Sequence, residues 1–397
     1  MQVDRSWKLG KAFFAVALLV LLGAFSTALF SQQAEQREPV PSSGDQPENP
    51  GPFATDISPA LHSRAIRAAM HKVADWQLRR VEAQPPSRGW EFGALDIGLL
   101  AASRTLHDPR YRQYVVSVGE HYHWELAPFR PYAPGNDYAI AQAFLELYRS
   151  SHQEEEIAPL RRRFDESLGV PDNPSRPVWW WCDALFMQPA AGTMLSEVTQ
   201  DPRYAQYVHR EWAITEKLLY DTQKHLFSRD ATYLDKHEKN GGKVFWSRGN
   251  GWVMGGIVRV LASLPPNDPM RAHYVELLQQ MATEVASIQS SDGLWRPGLL
   301  DAGSYPLPEI SGSAFFTYAI AWGINHHLLD AKKYRPVVDK AWRGMIAHIY
   351  EDGRLGCIQP VGAAPADYRA SSSYVFGVGA FLLAGSEMDQ LHQRRLW

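Results

Sequence analysis

The chain has 397 residues, 45% of them hydrophobic, enough for a large buried core. Its formal net charge of −3 excludes a basic surface built to coat a polyanion, so nucleic acid is not an expected partner. Two cysteines, Cys182 and Cys357, form neither a disulfide framework nor a zinc spacing, and the scattered histidines show no helical metal pair, so neither metal nor cofactor is expected.

The first element is apolar. Arg5, Lys8 and Lys11 precede an uncharged run of 19 residues from Ala12 to Phe30. Residues 1–30 therefore read as a signal peptide or an uncleaved membrane anchor, with the rest exported to the periplasm or held outside the cytoplasm. Residues 31–56 are polar and rich in Pro, Ser, Gln and Glu, the composition of a flexible linker. The folded domain is expected over 57–397, opening with Ser58 as a helix cap and Pro59 at the first helical position.

From there the periodicity is helical throughout. Apolar residues recur at intervals of three and four in "WEFGALDIGLLAASRTL", "NDYAIAQAFLELYRS", "RGNGWVMGGIVRVLASL" and "GSAFFTYAIAWGINHHLL". A repeat marks the hairpins: "DPRYRQYVVSV" from Asp108, "DPRYAQYVHRE" from Asp201, "DPMRAHYVELL" from Asp268 and a looser "AKKYRPVVDKAW" from Ala331. Asp supplies a cap and Pro the first helical position. Each unit is an apolar helix, a DPxxY turn, a more polar helix and a return loop. Roughly twelve helices in such hairpins predict an all-α (α/α)6 barrel, with an open α-solenoid as the competing architecture. The polar motifs fall at the starts of the apolar helices, which favours one pocket at one end of a closed ring.

Three motifs carry chemistry. In "VWWWCDALFM" (Val178–Met187), Asp183 either complements a helix dipole or is dried by the tryptophans, which raises its proton affinity and makes it an acid near neutral pH. Met187 lies one turn on. In "PYAPGNDYAIAQAFLELY", Asn136 and Asp137 read as a capping pair or as a second carboxylate facing the first, the pairing glycosidic chemistry generally uses. In "VFWSRGNGWVMGG", Arg248 lies between Trp246 and Trp252, flanked by Gly249 and Gly251. It either pairs with a surface acid or is aimed at an anionic ligand, with glycines admitting the ligand to the backbone. Arg229 and Asp230 in "LFSRDATYL" and Ser313 in "PEISGSAFF" read equally as sugar contacts or as caps. There is no GxSxG elbow, HExxH, Walker loop or GxGxxG.

With these residues, the chain resembles glycoside hydrolase family 105, relatives of family 88: the unsaturated uronyl hydrolases, best known as unsaturated rhamnogalacturonyl hydrolases. The stretches that carry the resemblance are "WWWCDALFM", "FWSRGNGWV", "DGLWRPGLLD", "PEISGSAFFTYAIAWGIN" and "YVFGVGAFLLAGSE". It implies an (α/α)6 barrel and hydration of the C4=C5 double bond that polysaccharide lyases leave on a terminal uronate. It further implies Asp183 as proton donor and water activator, Asp137 as assisting carboxylate, and Arg248 as holder of the uronate carboxylate. Trp180, Trp181, Met187 and Trp252 would be walls, and Arg229, Asp230 and Ser313 substrate contacts. The chain departs from the family at "FSRDATYL", where Arg229 or Asp230 replaces a His common in its members, and at Ile310, where Thr or Ser is common. The expected partner is an unsaturated uronate-bearing oligosaccharide and the expected state a monomer. Rival readings are an epimerase, an inverting glycosidase on the same barrel, and a tethered oligosaccharide-binding protein without turnover.

Overall fold

The computed structural model describes residues 41–130, 134–171, 173 and 177–393. The expected leader over 1–30 and the first ten residues of the expected linker lie outside the described residues. Thirteen α-helices occur among the described residues. They are α1 (Ser63–Glu82), α2 (Trp90–Leu106), α3 (Pro109–His121), α4 (Ala141–Ser151), α5 (Ala158–Leu168), α6 (Ala184–Met187), α7 (Pro189–Thr199), α8 (Pro202–Leu219), α9 (Ser247–Ser263), α10 (Arg271–Ser287), α11 (Ile310–Asn325), α12 (Ala331–Ile346) and α13 (Val375–Gln393).

The apolar helices form a ring. α2 packs on α4, α4 on α7, α7 on α9, α9 on α11, α11 on α13, and α13 returns to α2. That closure makes an (α/α)6 barrel and rules out the open solenoid. The third inner element is interrupted at Gln188, because Pro189 has no N–H to continue α6 and instead starts α7. The more polar α1, α3, α5, α8, α10 and α12 alternate with the inner helices along the chain and return each one to the same end. Where the ring closes, a Cβ on Gly379 would fall 2.2 Å from the Ala94 carbonyl oxygen, and one on Gly98 2.5 Å from that of Gly379. Only glycine on both helices lets the backbones of α2 and α13 touch.

The DPxxY repeat turns out to stitch hairpins together. Asp108, Asp201 and Asp330 each cap a helix, accepting from the N–H of Arg110, Arg203 and Lys332 at 3.0, 3.0 and 2.8 Å. The fourth cap is thus Asp330, one residue before the looser copy read from the sequence. Asp268 accepts from the Met270 N–H at 2.9 Å, just ahead of α10. The repeat tyrosine of each copy reaches back to the preceding outer helix. Tyr111 donates to Asp75 (2.7 Å) and Tyr204 to Asp165 (2.9 Å), while Tyr274 meets His209 (3.1 Å) and Tyr334 meets Thr283 (2.8 Å). Removing one such hydroxyl deletes a tie between outer helices. Tyr204→Phe is expected to lower unfolding stability by about 0.5–1.5 kcal/mol in urea titration, because water replaces the hydroxyl on the exposed Asp165, without changing turnover per folded molecule.

The domain begins earlier than its composition suggests. β1 (Gly44–Asp45) pairs antiparallel with β4 (Ser373–Tyr374), and Phe53 bridges Tyr350. Asp45 accepts from Arg80 (2.8 Å) and from the buried Arg354. Residues 42–56, expected as linker, are therefore part of the barrel domain. Main-chain pairing and charge hold them, and neither requires the apolar content that the segment lacks. The first helix also starts later than expected. Ser58 closes a turn onto the Ala60 N–H (3.2 Å), and the cap of α1 is His62, whose Nδ1 accepts from the Ala65 N–H (3.2 Å). A second short hairpin, β2 (Tyr220–Asp221) with β3 (Leu226–Phe227), carries the chain toward Arg229.

Candidate active site

The inner helices share one direction, so their N-terminal ends share one face of the barrel. Asp137 lies in a 3-10 turn (Asn136–Tyr138) just before α4, Asp183 directly before α6, Arg248 in the first turn of α9, and Glu309 directly before α11. The glycines of "RGNGWVMGG" set this end by admitting helices rather than a ligand. A Cβ on Gly251 would fall 3.1 Å from Gly312 Cα, one on Gly256 2.1 Å from the Leu185 carbonyl oxygen, and one on Gly249 3.0 Å from Cys182 Sγ.

Asp183 is not spent on its helix. It occupies the position before α6, yet its side chain makes no capping hydrogen bond. The contrast with Glu309 is direct. Glu309 is fully buried and caps α11 through the N–H groups of Ser311 (3.1 Å) and Gly312 (2.6 Å), accepting also from the Ser311 hydroxyl (2.6 Å). Asp183 remains partly accessible, with the Cys182 thiol 3.5 Å from Oδ2. Burial pushes its carboxyl above the ordinary aspartate range, against the pull of the Arg229 and Arg248 guanidinium groups, the thiol and the backbone. A raised, uncommitted, partly accessible carboxyl is what a proton donor requires.

Arg248 is a clamp in this structure. The residue is 1% exposed, and its guanidinium lies over the rings of Trp246 (4.3 Å) and Phe376 (4.8 Å), not between Trp246 and Trp252 as the sequence order suggests. Nη1 donates to the Gln359 carbonyl at 2.6 Å and Nη2 to that of Pro360 at 2.8 Å. Two more groups hold the same loop: Trp246 Nε1 donates to Gln359 Oε1 (2.8 Å), and the Gln359 N–H donates to Glu309 (3.1 Å). Burial draws the proton affinity of Arg248 down, while Glu309 and Asp183 oppose that. Glu309, Gln359 and Phe376 were not singled out from the sequence. Phe376 and Glu309 lie within recognised motifs, but only folding brings them to Arg248.

Arg229 and Asp230 lie beside the acid on the segment after β3. The Cys182 N–H donates to the Arg229 carbonyl (2.8 Å), and Trp181 bridges Asp230, so the two motifs form one short antiparallel ladder. Asp230 is a cap, accepting from the Thr232 N–H (2.8 Å) and hydroxyl (2.7 Å), and it pairs with Arg229 Nη1 at 2.6 Å. The Arg229 guanidinium lies 5.2 Å from the Trp180 ring centroid. Trp180 is partly exposed and packs at 4.7 Å on Trp181, which is 4% exposed.

The other expected contacts divide. Asp137 is 3% exposed and accepts from Arg163 Nη1 (2.5 Å) and the Gly135 N–H (3.2 Å). Burial raises its proton affinity and Arg163 opposes that, while no hydrogen bond joins it to Asp183 among the described residues. Met187 and Trp252 are core residues rather than walls, at 1% and 0% exposure. Trp252 packs on Phe315 (4.4 Å) and Phe186 (4.7 Å) beneath the site. Ser313 is fully buried and accepts from the Trp295 N–H (3.0 Å), so it braces a loop and does not reach a ligand. In all three the helical period turned inward the face expected to face substrate.

A groove of about 980 Å³ adjoins the site, lined by residues that include Trp180, Val178, Tyr207, Tyr138, Arg163 and Ser167. A cavity of about 730 Å³ lined by the C-terminal halves of inner helices has its charges paired, as in Arg259 with Glu146 (2.7 Å) and Arg67 with Asp389 (2.9 Å). His71, Asp75 and Asp108 come together with ligand-like spacing. Arg110 pairs with both carboxylates (2.9 and 2.6 Å), and the group repeats the His209–Asp268–Tyr274 stitch of a later hairpin.

Comparison with known proteins agrees with this fold. The family model described as Glycosyl Hydrolase Family 88 matches residues 64–392. A curated relative from Formosa agariphila, named unsaturated 3S-rhamnoglycuronyl hydrolase, is 35% identical over 84% of this chain and 93% of its own. A solved family 88 hydrolase from Bacteroides vulgatus is 30% identical over 83% of this chain and 99% of its own, with a TM-score of 0.78. A second solved structure, named a polysaccharide lyase, is 32% identical over 84% and 99%, also with a TM-score of 0.78. The chain belongs to glycosyl hydrolase family 88 and is a glycoside hydrolase.

Proposed function

We propose that the chain removes a 4,5-unsaturated uronate from the nonreducing end of rhamnoglycuronyl oligosaccharides by hydrating its vinyl ether. The observation that carries this is Asp183: buried enough to hold a proton, free of any capping bond, and flanked by two guanidinium groups. Its proton passes to C4, leaving positive charge at C5 shared with the ring oxygen. The carboxylate then takes a proton from water as the water oxygen bonds to C5. The hemiketal opens by cleavage of its bond from C5 to the ring oxygen. The resulting hemiacetal at C1 expels the next sugar. One water is consumed, and Asp183 ends as it began.

Trp180 offers the accessible aromatic face for the sugar, and the adjoining apolar groove takes the sugars that follow. Asp137, locked to Arg163, shapes the site without exchanging the proton with Asp183. The basic and then apolar N-terminus supports export, with the hydrolase outside the cytoplasm acting on lyase products as a monomer.

The relative named a polysaccharide lyase supports the opposite reading, in which the double bond is made. The sign of one signal separates them. With an unsaturated rhamnoglycuronyl disaccharide, ultraviolet absorbance of the double bond should fall. A rise in absorbance on the intact saturated polymer, with no fall on the disaccharide, would install the lyase reading.

A further inference from the structure

We infer that Asp45, on the strap formed by residues 42–48, is a positioning residue for the active site: it seats the main-chain ladder whose far end holds Arg248. Only the rate assay below rests on the uronyl hydrolase reading. The strap is committed to one place on the barrel. Beyond the pairing of β1 with β4, the Val375 N–H donates to the Ser43 carbonyl (2.9 Å) and Arg369 Nη1 to that of Gln46 (3.2 Å). A Cβ on Gly44 would fall 2.3 Å from the Ser373 carbonyl oxygen and 2.6 Å from the Tyr374 ring, so only glycine lets the strap lie this close. Asp45 supplies the charge. Arg354 is buried, and among the described residues its one ion pair is with Asp45. The same Nη1 of Arg354 donates to the Ser371 carbonyl at 3.2 Å, just ahead of β4. Removing Asp45 would leave a buried guanidinium without its counter-charge, which loosens the segment it ties down.

Two routes lead from the strap to Arg248. The first runs through the backbone. Ser373 pairs with Asp45, and the residue before it, Ser372, pairs with Ile358. The Ile358 N–H donates to the Ser372 carbonyl (2.9 Å), and the Ser372 hydroxyl donates back to the Ile358 carbonyl (2.6 Å). The Cys357 N–H donates to the Ala370 carbonyl in the same ladder (2.8 Å). The next two residues, Gln359 and Pro360, present the carbonyls that Arg248 holds at 2.6 and 2.8 Å. The second route runs through rings. Tyr374 stacks on Phe376 with centroids 5.7 Å apart, and the Arg248 guanidinium lies 4.8 Å from the Phe376 centroid. Both routes start on β4, so a strap that slips disturbs both supports of Arg248 together. Contiguous hydrogen bonds and packed rings are what carries such a displacement. Arg248 is one of the two guanidinium groups that act on Asp183, so its placement bears on the acid.

Amide hydrogen exchange and turnover on the full chain test this together. Asp45→Ala should speed exchange at Cys357, Ile358 and Gln359 about tenfold or more, while Ser228, bonded to Leu219 beside the other hairpin, keeps its wild-type rate. On the unsaturated uronyl disaccharide, kcat/KM per folded molecule should fall about tenfold, as a displaced site residue predicts. Asp45→Asn keeps an acceptor for Arg354 and should retain part of both properties. Gly44→Ala unseats the strap without touching the Arg354 pair and should reproduce both losses, so the test survives if Asp45→Ala does not fold. Tyr204→Phe, which loosens a hairpin elsewhere, should show neither. Unchanged exchange at 357–359 would overturn the inference, as would faster exchange there with kcat/KM per folded molecule unchanged. A wild type that leaves the double bond intact would remove the uronyl hydrolase reading instead, and exchange at 357–359 would still decide whether the strap seats the ladder.

Discussion

Asp183→Asn is expected to lower kcat by about 10³-fold or more while leaving the protein more stable at neutral pH. The first effect follows from losing the proton donor, since general acid catalysis contributes roughly 10²–10⁴. The second follows from linkage. Burial holds the folded-state proton affinity of Asp183 above that of an exposed aspartate. Below pH ~4 both folded and unfolded chains keep the proton. As pH rises through the window up to the raised folded value, only the folded chain keeps it, so stability is lost with rising pH. Above that window the wild type holds a buried charge that Asn never carries. Calorimetry should show the variant melting above the wild type at pH 7, with the gap closing as pH falls below about 4. The wild-type rate should in turn decline as pH rises through the same raised value, because the donor is then ionised. A variant that melts lower by the same margin at every pH would show Asp183 to be a packing residue.

Gly256→Ala should damage both fold and rate, although alanine favours helices over glycine by up to about 1 kcal/mol. The added Cβ would sit 2.1 Å from the Leu185 carbonyl oxygen, 2.8 Å from its carbon and 3.2 Å from Phe186 Cα. These are backbone atoms of α6, which cannot rotate aside as a side chain would. The expected loss is about 1–3 kcal/mol of stability in urea titration. Because Leu185 follows Asp183 by two residues, a shift of α6 misplaces the acid, and kcat should drop about 100-fold. An unchanged midpoint with an unchanged kcat would mean that α6 is not held by this contact.

The barrel was legible in the sequence because its periodicity and its caps agree. Alternating apolar and polar helices, four of the polar ones opened by Asp or Asp-Pro, point to packed hairpins. The dry setting of Asp183 was legible because three tryptophans and a cysteine precede it, and burial raises its proton affinity. The side-chain partners were less so. Arg248 looked aimed at a ligand, but the carbonyls it holds lie more than 100 residues onward, at Gln359 and Pro360. Ser313, Met187 and Trp252 are buried because the inner helices are covered on every side, so helical spacing alone does not tell a pocket face from a packed one. The glycines of "RGNGWVMGG" signalled close approach correctly but not what approaches. Residues 42–56 escaped because a strand pair two residues long needs no apolar pattern.

The central claim is that the double bond is hydrated before the glycosidic bond parts. Rapid mixing of excess enzyme with the unsaturated disaccharide separates the two events within one turnover. Ultraviolet absorbance follows the double bond, and quenched samples follow the freed sugar. Absorbance should fall ahead of, or together with, release of that sugar, and Asp183→Asn should show neither change. Free sugar appearing while the absorbance persists would mean direct attack at the anomeric carbon, and would contradict the account.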